Sequence, residues 1–156
     1  MHKHALKVLP IAFVLIAVFA AAQTPQKNYG AEGVKAVEQV LHTQQDAWNH
    51  HDLDAFMARY WNSADLTFFS GAKQTSGWQA TLDRYKATYA SPGHEMGTLE
   101  FSALRIEMLG SEAAFVRGAW HLTMSDGKTP HGLFTLVFRK FPEGWKIIHD
   151  HTSVAE

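Results

Sequence analysis

The chain has 156 residues, a formal net charge of −1 and 46% hydrophobic residues, which suits one globular domain with a substantial core and leaves no room for a second. The absence of cysteine excludes a disulfide framework and a lipid-attachment site of the lipobox kind. The basic residues form no run, which argues against a nucleic-acid or anionic-membrane partner.

The N-terminal sequence "MHKHALKVLPIAFVLIAVFAAAQ" has the pattern of a secretory signal peptide. Lys3 and Lys7 precede an apolar run, and Ala20 and Ala22 provide the small side chains of an A-x-A cleavage site. An uncleaved anchor is the alternative, but the apolar run is shorter than the roughly 20 residues that a spanning helix needs. We therefore predict that residues 1–22 are removed and that the protein is periplasmic or secreted, with no membrane partner after cleavage.

The remaining chain divides into a polar tether at residues 23–30 and a folded domain at residues 31–156. Apolar residues at helical spacing predict a long helix from Ala31 and a shorter one in "LDAFMARYW", with Asp52 as its N-cap. The segment "DLTFFSG" is typical of a short strand. A third helix is predicted in "WQATLDRYKATY", and "SPG" ends it.

Four long segments of strand character follow, separated by turn signals at Gly110-Ser111, Asp126-Gly127 and Pro142-Glu143-Gly144. These strands do not alternate cleanly between apolar and polar residues, so both faces of the sheet should be at least partly covered. We expect helices on one face and a second subunit on the other.

Several strings along this layout resemble the SnoaL-like branch of the nuclear transport factor two-like superfamily: "HDLDAF", "ADLTFFSG", "SGWQATLDRYKATY", "AAFVRGAWHL", "GLFTLVFRK" and "GWKIIHDHTS". The resemblance extends from Val34 to Ser153. It implies an α+β cone in which three N-terminal helices pack on a curved antiparallel sheet. It also implies a cavity on the concave side and a homodimer formed through the convex face.

Ketosteroid isomerase, an enzyme of this superfamily, needs a tyrosine, a carboxylate base and a protonated aspartate. The resemblance puts these three positions at Gln44, Phe69 and Leu136. Since all three functional groups are missing, steroid-type isomerisation is rejected.

Resemblance to the kinase association domain of the same fold turns Ile148, Asp150 and Thr152 of the last strand into the cavity. Asp150 is then the candidate catalytic residue, because desolvation would raise its pKa toward a useful acid/base value. The alternative is an ionised Asp150 that is hydrogen-bonded for purely structural reasons. No cofactor is expected. The predicted ligand-binding residues are Gln44, Tyr60, Phe69, Tyr85, Trp120, Phe134, Leu136 and Thr152.

His149 and His151 are two apart on a predicted strand, so their side chains share the convex face, where H-x-H can bind zinc. His121 would be the third ligand. Because no second histidine pair and no cysteine supports such a site, we predict no metal, and we expect these histidines to serve the sheet or the dimer interface.

Three functions remain open at this point. The first is a binder of a small, largely apolar organic molecule. The second is an isomerase, dehydratase or cyclase that uses Asp150. The third is a dimerisation module whose cone is filled by its own side chains.

Overall fold

The computed structural model describes residues 29–155, so the predicted signal peptide and residues 23–28 of the tether lie outside the described residues. Within this range no helix is long and apolar enough to cross a membrane. The elements in chain order are α1 (Tyr29–Asn49), α2 (Leu53–Met57), β1 (Thr67–Ser70), β2 (Lys73–Ser76), α3 (Trp78–Tyr89), β3 (Thr98–Met108), β4 (Ala113–Thr123), β5 (His131–Phe141) and β6 (Gly144–Thr152).

The prediction of three N-terminal helices is correct only in part. Asp52 caps α2 as expected, because its Oδ1 accepts the Ala55 N–H at 2.8 Å. However, α2 has five residues, and α3 follows the β1–β2 hairpin. The short length of α2 has a tertiary cause. The chain leaves the helix because the Arg59 carbonyl and the Trp61 N–H are both hydrogen-bonded to the backbone of Ile147 in β6, at 3.0 and 2.9 Å.

The strands form one six-stranded sheet in the order β2-β1-β6-β5-β4-β3. The predicted antiparallel sheet needs a correction, since β1 runs parallel to β6 while the other pairs are antiparallel. The strand β2 was also missed, because "KQTS" is polar and mostly exposed and so lacks an apolar alternation.

Two irregularities bend the sheet. In β3 the register with β4 shifts between Ser102 and Arg105, and Ala103 adopts a positive φ of 51°. In the β5–β6 pair, Val137 lies opposite His149 while the next residue of β5 lies opposite Ile147, so β6 carries one extra residue. Such bulges bend a strand and increase its twist. The sheet therefore curves and presents a concave face to the helices.

The amide side chains of α1 cover the exposed edge of the sheet. Gln45 Oε1 accepts the Phe101 N–H at 2.6 Å, and Asn49 both accepts from the Leu99 N–H at 2.7 Å and donates to the Leu99 carbonyl at 3.0 Å. Because β3 has no further strand beside it, these bonds replace a missing ladder. They fix α1 over the concave face and set Gln44 and Trp48 on its inner side.

Candidate functional site

The helices and the concave face of the sheet enclose a cavity of about 150 Å³. Its deep part is formed by buried residues such as Trp48, Phe56 and Leu136, whereas the more exposed Thr88 and Val154 mark its open end. The wall is mostly apolar and aromatic. The lining residues are Gln44, Trp48, Phe56, Tyr60, Phe68, Ser70, Arg84, Tyr85, Thr88, Tyr89, Leu99, Phe101, Trp120, Leu122, Phe134, Leu136, Asp150, Thr152 and Val154.

Asp150 is the buried carboxylate of this wall, and only 3% of its surface is exposed. The Tyr60 hydroxyl donates to Oδ2 at 2.7 Å, and the Thr152 hydroxyl donates to Oδ1 at 2.8 Å. Tyr60 reaches this position because its backbone pairs with Ile147, three residues before Asp150 on β6. Each carboxylate oxygen keeps a free lone pair, so Asp150 can still accept a hydrogen bond from a ligand.

Burial raises the pKa of Asp150 from 3.8 to about 6, against the opposing effects of the Tyr60 and Thr152 hydrogen bonds and of the charges of His151 and Arg84. Burial, followed by the charge of Asp150, also raises the pKa of Tyr60 well above 10.0. The pKa of Tyr85 is raised for the same two reasons. Both phenols therefore remain protonated donors beside a carboxyl group that titrates near neutrality.

Gln44 is 1% exposed, and its Nε2 has no hydrogen-bond partner within residues 29–155. Leaving a buried amide donor unpaired costs about 1–3 kcal/mol. The side chain lies in the cavity wall, so a bound molecule with an oxygen acceptor would remove this cost.

Arg84 of α3 is the one lysine or arginine among the lining residues described above. It is half-buried, and its guanidinium lies over the Phe68 ring at 4.6 Å from the centroid. Its Nη1 donates to Thr75 Oγ1 at 3.0 Å. The cavity therefore combines one cation and one titratable carboxyl with an apolar wall.

Eight of the residues predicted for this site lie in the wall of one cavity, so the structure brings them together: Gln44, Tyr60, Tyr85, Trp120, Phe134, Leu136, Asp150 and Thr152. Their contact with a ligand remains a prediction.

Phe69 is the exception among the predicted ligand-binding residues, and its assignment was wrong. The ring of Phe69 lies against His149 and His151 on the convex face, with centroids 5.0 and 6.1 Å apart. Phe68 lines the cavity in its place. Successive side chains of a strand point to opposite faces, and two adjacent phenylalanines give no sign of which one faces inward.

Ile148 was likewise expected to face the cavity, but the bulge in β6 interrupts the alternation of inward and outward side chains along the strand. Ile147 is fully buried and Ile148 only partly so, while Asp150 and Thr152 face inward as expected. Gly118 of β4 leaves room for the Phe134 ring of the cavity wall, because a Cβ on Gly118 would lie 2.5 Å from Phe134 Cζ.

Sequence reasoning missed the aromatic and charged side chains of six further lining residues: Trp48, Phe56, Phe68, Arg84, Tyr89 and Phe101. A signal existed for two of them. Trp48 is four residues after Gln44 on α1, and Tyr89 is four residues after Tyr85 on α3, so each pair shares a helix face. Arg84 gave no such signal, since a single arginine on a helix is usually solvated.

The four histidines of strands β4, β5 and β6 lie on the convex face of the sheet. His149 Nδ1 is 2.6 Å from the Thr67 hydroxyl, and the pKa of His149 is lowered by burial and then by His151. His121 lies beside His131, at a ring distance of 6.2 Å. Across residues 29–155, no three His, Cys, Asp or Glu side chains are grouped so that they could hold a metal ion.

The model of the SnoaL-like domain family matches residues 37–156, which is most of the chain. The chain belongs to the SnoaL-like family. This confirms the family indicated by the sequence resemblance and agrees with the observed α+β fold. No curated protein shows significant sequence similarity to this chain.

Solved structures share the fold. A protein of the NTF2-like class and of unknown function from Shewanella oneidensis is 38% identical, with alignment over 78% of this chain and 98% of that chain and a TM-score of 0.72. An NTF2-like superfamily protein from Salmonella enterica serovar Typhimurium is 21% identical over 81% and 93%, with a TM-score of 0.68. A candidate dehydratase from Streptomyces avermitilis is 18% identical over 81% and 98%, with a TM-score of 0.67. The last two show similarity of fold alone.

The raised pKa of Asp150 predicts a specific dependence of stability on pH. Since its pKa is 3.8 when exposed and about 6 when folded, the folded state binds the extra proton between these values and loses stability as pH rises. The total loss of folding free energy over this range is about 3 kcal/mol. Asp150→Asn should therefore gain about this much relative to the unmodified protein between about pH 3.5 and about pH 8, as measured by urea unfolding.

The matched control is Asp65→Asn, which removes an exposed carboxylate outside the cavity wall and should not reproduce the gain of Asp150→Asn. Parallel stability curves for Asp150→Asn and the unmodified protein would contradict a raised pKa at Asp150.

Proposed function

We propose that this SnoaL-like protein is an exported homodimer that binds a small, largely apolar organic molecule in the cavity between its helices and its sheet. The observation that carries this proposal is Gln44, a residue of the cavity wall whose buried amide nitrogen has no hydrogen-bond partner among residues 29–155. A side chain kept only for packing gains nothing from such an unpaired donor. A binding residue gains a partner when the ligand arrives.

The volume supports a ligand of about one ring. An apolar cavity of roughly 150 Å³ in a protein interior can bind benzene, whereas drug-sized ligands need about 300–1,000 Å³. The open space also argues against the third possibility raised by the sequence, a dimerisation module whose cone is filled by its own side chains.

The polar groups of the wall restrict the ligand chemistry. Gln44 Nε2 can donate a hydrogen bond to an oxygen of the ligand, and the free lone pairs of Asp150 can accept one from a hydroxyl or N–H group of the ligand. A ring with one carbonyl or hydroxyl group satisfies the first condition, and a hydroxyl satisfies either. We therefore expect oxygenated ring compounds to bind better than hydrocarbons of the same size.

Gln44→Leu separates binding from stability. Removing the unpaired amide should leave the free energy of unfolding unchanged or raise it by about 1 kcal/mol, because leucine fits the same apolar surroundings. The affinity for phenol or cyclohexanone should fall about tenfold, since the ligand oxygen loses its donor. Thermal unfolding with and without ligand measures both quantities.

The control is Gln39→Leu, an exposed position on the same helix, which should change neither quantity appreciably. Equal affinity of Gln44→Leu and the unmodified protein for every oxygenated ring would remove the main support for the cavity as a binding site.

A second candidate function is proton transfer by Asp150, and the Tyr60–Asp150 contact favours it. A buried carboxyl with a pKa of about 6 can both take and return a proton at neutral pH, and Tyr60 holds it in position. The candidate dehydratase from Streptomyces avermitilis shares the fold. Isomerisation or dehydration through Asp150 would require a carbon acid within reach of its free lone pairs.

Deuterium exchange tests the catalytic role without knowledge of the substrate. In heavy water, cyclohexanone or another ring ketone should incorporate deuterium next to its carbonyl faster with the protein than without it. Asp150→Asn should abolish this acceleration while Asp65→Asn retains it, as followed by proton NMR. Binding of the ketones without any accelerated exchange would leave the protein as a binder and contradict the enzyme hypothesis.

The homodimer is proposed through the convex face of the sheet. Leu133 of β5 is 66% exposed and lines a shallow groove together with Arg117, Thr135 and His151. Exposed apolar surface of this kind often marks an interface. Export is proposed from the signal-peptide pattern of residues 1–22.

Leu133→Arg should disrupt the dimer, because it places a charge in the apolar centre of the interface. Sedimentation velocity should show a shift toward monomer at concentrations where the unmodified mature chain is dimeric. The matched control is Leu109→Arg, since Leu109 is 54% exposed but lies beyond the end of β3. A monomeric unmodified protein, or loss of the dimer in Leu109→Arg alone, would place the interface elsewhere or exclude it.

A further inference from the structure

We propose that the natural ligand of the cavity is a single-ring carboxylic acid and that Arg84 binds its carboxylate at the open end of the cavity. This inference rests on the proposed binding function and adds the class of ligand. Three features of Arg84 support it: the side chain is held by neutral groups, no carboxylate of the described residues pairs with it, and aromatic rings lie next to it.

The guanidinium of Arg84 is held in place by neutral groups. Nη1 donates to Thr75 Oγ1 at 3.0 Å and, at a longer 3.4 Å, to the Lys73 carbonyl, and Nη2 donates to the Ser70 carbonyl at 3.5 Å. The Phe68 ring lies below the guanidinium plane at 4.6 Å. The β1–β2 hairpin and the aromatic ring thus orient Arg84 without neutralising it.

No carboxylate of the described residues forms an ion pair with Arg84, whereas Lys86, Arg117 and Lys128 each have an acidic partner. Asp150 is the acidic residue of the cavity wall, and the charge of Arg84 lowers its pKa less than the Tyr60 and Thr152 hydrogen bonds and the charge of His151 do, so the two groups interact only weakly. The Asp150 oxygens instead accept hydrogen bonds from the Tyr60 and Thr152 hydroxyls. A half-buried cation is therefore left without a counter-charge in the free protein.

The hydrogen bonds leave part of the guanidinium available. Arginine has five N–H groups, and the three bonds involve only Nη1 and Nη2, with the Nη2 bond the longest at 3.5 Å. No described residue accepts a hydrogen bond from the Arg84 Nε–H, and Nε and Nη2 together form an edge that can bind a carboxylate through two parallel hydrogen bonds. Lysine has no such edge, so the geometry is specific to arginine.

An aromatic wall extends from Arg84 into the cavity. The rings of Phe68 and Tyr85 are stacked at 5.3 Å, and those of Tyr85 and Tyr89 at 6.0 Å. A flat ring can pack along this wall with its acid group at Arg84. The rest of the ligand then points toward the deep part of the cavity, where the Gln44 amide can bind an oxygen substituent.

Matched pairs of ligands test this inference. Benzoate is compared with benzamide, and cyclohexanecarboxylate with its amide, by calorimetric titration of the mature protein. Each acid should bind about tenfold or more tightly than its amide, because a hydrogen-bonded charge is replaced by a neutral group. Arg84→Gln should abolish this preference for the acid while leaving the affinity for the amides nearly unchanged.

The control variant is Arg139→Gln. The Arg139 guanidinium also lies over an aromatic ring, that of Phe141, at 5.1 Å from the centroid. Arg139 is near the C-terminal end of β5 and is not part of the cavity wall. Its removal should leave the preference for acids intact. Arg84→Lys keeps the charge but lacks the two-donor edge, so it should retain only part of the preference.

The outcomes distinguish the two proposals. If amides bind as tightly as acids to the unmodified protein, the carboxylate inference is wrong and the binding function stands. The same conclusion follows if Arg84→Gln keeps the preference. If neither acids nor amides bind, the carboxylate inference fails, and the binding function fails with it only if phenol and cyclohexanone do not bind either. The comparison of acid with amide in the unmodified protein needs no variant, so a poorly folded Arg84→Gln would not prevent the test.

Discussion

The hydrogen bond between Tyr60 and Asp150 is the interaction on which the site depends. It connects the segment after α2 to the last strand, and it is buried. Backbone pairing with Ile147 positions Tyr60 for this bond. Asp150 is positioned because the side chains at 150 and 152 point into the cavity after the bulge in β6. If Asp150 were turned outward, the cavity would lose its carboxyl group, and if Tyr60 were turned outward, that carboxyl group would lose its phenol donor. The same contact keeps a phenol and a titratable acid together in an apolar environment.

The cavity remains open because the helices and the sheet are held apart by directional bonds. The amides of Gln45 and Asn49 bind the backbone of the edge strand, so α1 is fixed by hydrogen bonds at one side of the concave face. Aromatic side chains from α1, α2 and α3 meet edge to face or stacked and form the opposite wall. The polar groups Gln44 and Arg84 are then set in this wall with their binding capacity unused.

The amino-acid sequence was sufficient for the family, the order of the long elements and eight residues of the cavity wall. Helical spacing identified α1, helix-ending signals identified α3, and turn signals separated β3 to β6. It failed where two apolar residues are adjacent. In "FF" at residues 68–69 and "II" at residues 147–148, either member could face inward, and only the sheet register and the bulge decide.

Two further features depended on tertiary structure. The strand β2 has a polar sequence and exists because its neighbour β1 pairs with it. Arg84 belongs to the cavity because the β1–β2 hairpin supplies its hydrogen-bond acceptors, which no pattern on α3 could reveal. The function itself was least accessible, since members of one fold carry different activities and only the chemistry of the wall restricts the choice.

Binding in the cavity can be followed through the indole N–H signals of the five tryptophans in a two-dimensional NMR spectrum of the protein. Trp48 and Trp120 line the cavity, whereas Trp61, Trp78 and Trp145 do not. On titration with benzoate and with benzamide, we expect saturable shifts of the Trp48 and Trp120 signals and little change in the other three. Unchanged signals with both compounds, or shifts confined to Trp61, Trp78 and Trp145, would contradict a binding site in this cavity.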